Sequence, residues 1–216
     1  MNGWWPWVTL ALLGAYHGLN PGMGWLFAVA RGLQDQRREA VLHSLLPIAL
    51  GHAASIALVV AVVGGVQALA APAPLRVVGA GVLILFGIFK MVRPRSHPHW
   101  VGMRVGPGEL AVWSFLMATA HGAGLMLFPV LLALPAPGHA GAPHGHVHGA
   151  GLGPASIGQD AAAVLVHTVA MLLVMGAVAL VVYEKLGLAI LRRAWVNLDL
   201  IWAIAIVAAG AFTLFT

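Results

Sequence analysis

Histidine stands at positions 17, 52, 121 and 167, each inside a run of apolar residues. Imidazole titrates near neutrality and is the commonest side-chain metal ligand. A polar ring among apolar helices is costly, so it faces a bundle interior or a wet cavity. A single histidine there ordinarily makes an interhelical hydrogen bond. Four of them, at matching places in two halves of the chain, point to a shared site. The chain has no cysteine, which removes thiolate ligands, disulfides and dithiol redox chemistry. No carboxylate falls in the middle of these runs either. Neutral imidazole with Asn or Met donors suits Zn, Ni, Co or Cu better than Mg or Ca.

The stretch "GAYHGLNPGMGW" at 14–25 sharpens the reading. Asn20 and Met23 follow His17 at steps of three, which a helical turn brings roughly onto one face. Pro21 has no amide to bond the carbonyl of residue 17, so that carbonyl is expected to be available beside the ring. The neighbouring glycines let backbones approach closely or unwind. A broken helix at membrane depth is tolerated where it lines a cavity. A proline kink made only for packing is the competing reading. The candidate metal ligands are therefore His17, Asn20, Met23, His52, His121 and His167. A second group, His139, His144, His146 and His148 in "HAGAPHGHVH", has the composition of a flexible chelator. It is expected to capture metal without being the transport site.

These residues need a scaffold, and composition indicates its class. Hydrophobic residues make up 61% of the 216 and charged residues 8%, against roughly 25% charged in an ordinary soluble domain. The sequence pI is near 10.8, yet the positive charges are scattered between apolar runs and form no nucleic-acid patch. No cleavable leader is evident, since residues 1–16 lack a basic start, and Trp4, Trp5 and Trp7 suit a membrane interface. Six runs, near 5–30, 41–70, 75–92, 109–134, 161–184 and 199–216, are candidate spans of roughly 20 residues. Ten of the eleven Lys and Arg residues follow the first, third and fifth runs, and only Arg76 falls on the other side. The positive-inside rule then puts both termini outside.

The two halves echo one another. "AYHGLNPGMGWLF" in the first run and "TAHGAGLMLFP" in the fourth each carry a His-Gly pair. "GHAASIALVV" in the second and "VHTVAMLLVM" in the fifth each open on histidine. A three-span unit repeated once must be inverted in the membrane, an arrangement that builds transporters with a site near the midplane. The expected fold is an all-α integral membrane protein of six transmembrane helices in two inverted three-helix repeats. Residues 1–92 form the first repeat and 93–108 a cytoplasmic linker. Residues 109–216 form the second, with a His-rich external loop at 135–160. By this geometry His17 and His121 meet near the midplane, with His52 and His167 flanking them on opposite sides.

"HGLNPGMG" and "LGHAASIAL", with the His-rich loop and the six-span plan, resemble the nickel/cobalt transporter (NicO) group. That group includes urease-accessory-type and efflux-type membrane proteins within the LysE-like transporter superfamily. Its first motif is His-x-Leu-Asp-Pro-Asp-His. His17 and Pro21 match, whereas Asn20, Gly22 and Met23 stand where Asp, Asp and His would be. The resemblance implies metal transport; the departures remove two carboxylates and one imidazole, which opens the choice to softer ions.

The expected function is movement of a transition-metal ion (Ni, Co, Cu or Zn) across a bacterial inner membrane. The alternative is a haem-binding electron carrier with His pairs as axial ligands, a role in which the Asn-Pro-Gly break has no part. Catalysis is not expected, because no Ser/His/Asp set is present and the carboxylates sit at span ends or in loops. Expected partners are membrane lipid, the metal ion and no nucleic acid, with a homo-oligomer or a metallochaperone as further candidates.

Overall fold

Proline and glycine set where the helices of this chain start and stop. The computed structural model describes residues 4–69, 72–93, 106–132, 134, 154–186 and 198–215. Helix α1, Trp5–Leu19, carries Pro6 in its first turn, where a missing amide costs nothing. It ends at Asn20, whose extended backbone leaves the helical path. Pro21–Met23 make one 3-10 turn, and Gly24 at φ 119° redirects the chain into α2, Trp25–Asp35. An L side chain rarely adopts that φ.

Helix α3, Arg38–Leu69, is long and contains Pro47; α4 follows as Pro72–Val92. Helix α5, Pro107–His121, starts with Glu109 accepting the Gly106 amide at 2.7 Å, which satisfies an end group of the first turn. Gly122, at φ 70°, ends it, and α6, Ala123–Leu132, departs at a bend of 59°. Helix α7, Pro154–Val181, runs into a wider turn at Val182–Leu186, and α8 is Leu198–Phe215. No strand occurs among the described residues. The order broken helix, long helix, plain helix occurs twice.

The outward faces of the long helices are oily. Leu42, Leu46, Leu50, Leu58 and Val62 on α3, and Leu165, Val169 and Leu173 on α7, are exposed. Two stretches, Arg38–Val66 and Ile157–Lys185, are long and apolar enough to cross a membrane, and α5 with α6 makes a third if the bent pair is one span. Six spans were expected, the first of them broken, so the count by length is smaller. The physical reason is the breaks: residues 20–24 divide the first run into α1 and α2, and Gly122 divides the fourth. The third and sixth runs appear as the shorter apolar helices Val77–Val92 and Leu200–Leu214. Residues 154–160, expected in the outer loop, are the first turns of α7, which Pro154 can open. Most of the linker expected at 93–108, and His139, His144, His146 and His148, lie outside the described residues.

Helix partners cross between the halves. α1 lies along α7, α5 along α3, and α4 along α8, while α3 and α7 meet in the middle. Glycine permits the closest approaches. A Cβ at Gly14 would strike the carbonyl oxygen of His167, and one at Gly51 would strike that of Ala111. Three buried clusters hold the bundle: Trp25, Val41 and Ile48 with Met171 and Met175; Leu10 and Ile56 with Leu127; and Leu83 and Phe128 with Trp202.

Candidate metal centre

The ring of His17 sits in the last full turn before the first break. Its Nδ1 donates to the Leu13 carbonyl at 3.0 Å, because a carbonyl can only accept. This fixes the tautomer and leaves Nε2 as a lone-pair donor, the device by which a second contact orients a ligand histidine. That Nε2 is buried with no hydrogen-bond partner.

His52 from α3 and His167 from α7 complete a cluster around it. All three are buried, and one ring nitrogen from each lies within 4.8 Å of the others. The His17 ring stands edge-on to both, with centroids at 5.1 Å from His52 and 4.9 Å from His167. The His52 and His167 rings are parallel within 4°, and their Nε2 atoms are 3.5 Å apart. Nitrogens of a tetrahedral shell with bonds of about 2.0–2.1 Å stand about 3.4 Å apart. A shift of about an ångström in side-chain position would bring three such nitrogens onto one ion.

Helix α3 is held to α5 on both sides of His52. Ser114 on α5 donates to the Ile48 carbonyl at 2.7 Å, and Ser55 shares a hydrogen bond with Thr119 at 2.8 Å. Trp202 of α8 closes another side of the cluster. Its ring centroid is 4.2 Å from that of His17, it stacks on Tyr16 at 5.5 Å, and its indole N–H donates to the His121 carbonyl. No spacing in the sequence singles out Trp202, Ser114 or the Ser55–Thr119 pair. Their alignment depends on which helices meet.

The remaining expected ligands are placed differently. His121 is buried, and its Nδ1 donates to the Met117 carbonyl at 2.9 Å, the same local arrangement as His17. Yet it is not in the triad. Its ring lies beside the first break, 3.6 Å from where a Cβ on Gly22 would stand. His52 and His167 face each other across 3.5 Å, with His17 edge-on to both, and His121 lies within electrostatic reach of His17 and His52. Helix α1 comes close to α7 at His167, and α5 lies along α3 from Ala111 to Thr119, whose hydroxyl meets that of Ser55 at 2.8 Å.

Asn20 is buried, but its Oδ1 accepts the Gly22 amide at 2.9 Å and caps the 3-10 turn. The His17 carbonyl, expected to be available, accepts the Asn20 amide at 3.1 Å. Losing the Pro21 amide was compensated one residue earlier. Met23 is buried in the turn. No family model, curated protein or solved structure matches the chain.

Proposed function

We propose that this chain is a multi-pass membrane transporter that passes a transition-metal ion through His17, His52 and His167. One observation carries the reading: three buried imidazoles from three helices converge in a bundle with helices apolar enough to cross a bilayer. Buried polar rings of this kind are costly unless they are used. Each ring belongs to a different helix, so relative motion of the helices opens or tightens the set. The site sits next to a helix break, the place where transporters gather their ligands.

The same reading takes the fold as six spans in two inverted three-helix repeats with both termini outside, in a bacterial inner membrane. The repeated order of elements supports it, as does the exchange of partners, α1 on α7 and α5 on α3. The Lys and Arg distribution supports the orientation. The resemblance of "HGLNPGMG" to the nickel/cobalt transporter group is consistent with metal as cargo. The haem alternative is disfavoured, because His17 and Trp202 crowd the space beside the His52–His167 pair that a macrocycle would need.

The test is metal content of the purified full-length protein beside its His52→Ala variant, with ion flux in reconstituted vesicles. The expected outcome is one ion per chain in the wild type, with binding and flux both lost in the variant. Imidazoles must be neutral to bind, so affinity should fall as acid protonates the rings, and binding should release no more protons than the rings carry. A folded wild-type protein that binds no transition metal and moves none would end the proposal.

A further inference from the structure

We infer that the ion taken by this site is monovalent and soft, copper(I), rather than divalent; the inference rests on the reading of His17, His52 and His167 as the cargo site. Three neutral imidazoles contribute no charge, so the full charge of the ion is felt in the buried site. The cost of desolvating an ion grows as the square of its charge, so a divalent ion is about four times as expensive to hold there uncompensated.

The chain has six carboxylates, and none of the described ones compensates the site. Asp35 lies 4.0 Å from Arg31, Glu39 pairs with Arg37 at 2.8 Å, and Glu184 with Arg38 at 3.3 Å. Glu109 accepts the Gly106 amide at 2.7 Å. Asp160 is on α7, seven residues before His167, about 10 Å of helix rise away. The side chain of Asp199 lies outside the described residues.

Ligand type and number point the same way. Zinc in proteins is almost always four-coordinate, and this cluster offers three nitrogens, with Trp202 packed against His17. Copper(I) is satisfied by fewer ligands and accepts thioethers. Met171 and Met175 follow His167 on α7 at steps of four, and both are fully buried. Residues four apart share a helix face. Soft thioethers are therefore at hand one and two turns beyond His167 on the same helix, within the cluster that also holds Trp25, Val41 and Ile48.

The experiment is an anaerobic titration of the purified full-length protein with Cu(I), against a chromophoric Cu(I) chelator, with Ag(I) as a redox-inert check. Zn(II) and Ni(II) are titrated in parallel. One Cu(I) per chain is expected, held at least about 100-fold tighter than Zn(II), as a charge difference in a poorly solvated site dictates. Ag(I) should compete with it. His17→Glu adds one carboxylate to the triad and should move the Cu(I)/Zn(II) preference at least about tenfold toward zinc. If wild-type protein binds Zn(II) or Ni(II) as tightly as Cu(I), or more so, the monovalent inference is overturned while the metal-site reading stands. If folded wild type binds none of these ions, both fall.

Discussion

The chain breaks two helices just after a histidine, and the two breaks are built differently. After His17 it spends five residues on a capped 3-10 turn, with Gly24 in the left-handed region. After His121 it spends one, Gly122, and bends by 59°. In both, the histidine Nδ1 donates to the carbonyl four residues back. The local device is the same; the destination of the ring is not. His17 joins His52 and His167, while His121 lies beside the Gly22 turn. Aligning the histidines sets Gly14 opposite Ala118. The glycine lets α1 settle against the His167 carbonyl, whereas Ala118 keeps its methyl buried in the cluster with Leu10, Ile56 and Leu127. A histidine before a break is thus not enough to join the close triad of His17, His52 and His167.

The largest expected effect separates the two histidines. His17→Ala should abolish stoichiometric metal binding, and His121→Ala should retain it, both read by metal content after gel filtration. Binding lost in both, from folded protein, would erase the distinction drawn between them. Next is the packing contrast. Gly14→Ala forces α1 away from backbone atoms of α7, an overpacking cost of about 1–3 kcal/mol, and should weaken metal binding as well. Ala118→Gly should cost about 1 kcal/mol through helix propensity and leave binding intact. Thermal unfolding in detergent, with and without metal, reads both.

Smaller effects test the turn itself. Asn20→Ala removes the cap on Gly22 and should cost about 1 kcal/mol of stability without loss of bound metal. A collapse of affinity in that variant would restore Asn20 as a ligand. Trp202→Phe keeps the stack near Tyr16 and His17 but loses the indole bond to the His121 carbonyl. Its expected cost is about 0.5–1.5 kcal/mol, with a larger change in hydrogen exchange around Gly122 than around Gly24.

Much of the helical plan was legible in local chemistry. Apolar runs marked the helices, and Asn20-Pro21-Gly22 marked the break, because proline and glycine act on their own backbone. The number of unbroken spans was not legible by run length alone, since Gly122 looks like any other glycine in a chain that has 27. At the site, the histidines stood out as costly residues, but their grouping did not. The close meeting of His17 with His167 depends on Gly14, a contact across halves with no local signature. Asn20 looked like a ligand because its type and spacing fit. Its oxygen was needed nearer home, by the amide of Gly22.

The pairing of α1 with α7 has a consequence for how the protein is made. The surface that Gly14 fits is not synthesised until about 150 residues later. At roughly 5–20 residues per second, the first broken helix waits about 10–30 s for its partner. During that interval the nascent chain holds His17 and the turn against α3 alone, through His52 and Ile48, with the α7 side uncovered. Assembly of the first half therefore cannot finish before the second half emerges, and a chain stalled between α4 and α7 would present quality-control proteases with an incomplete bundle.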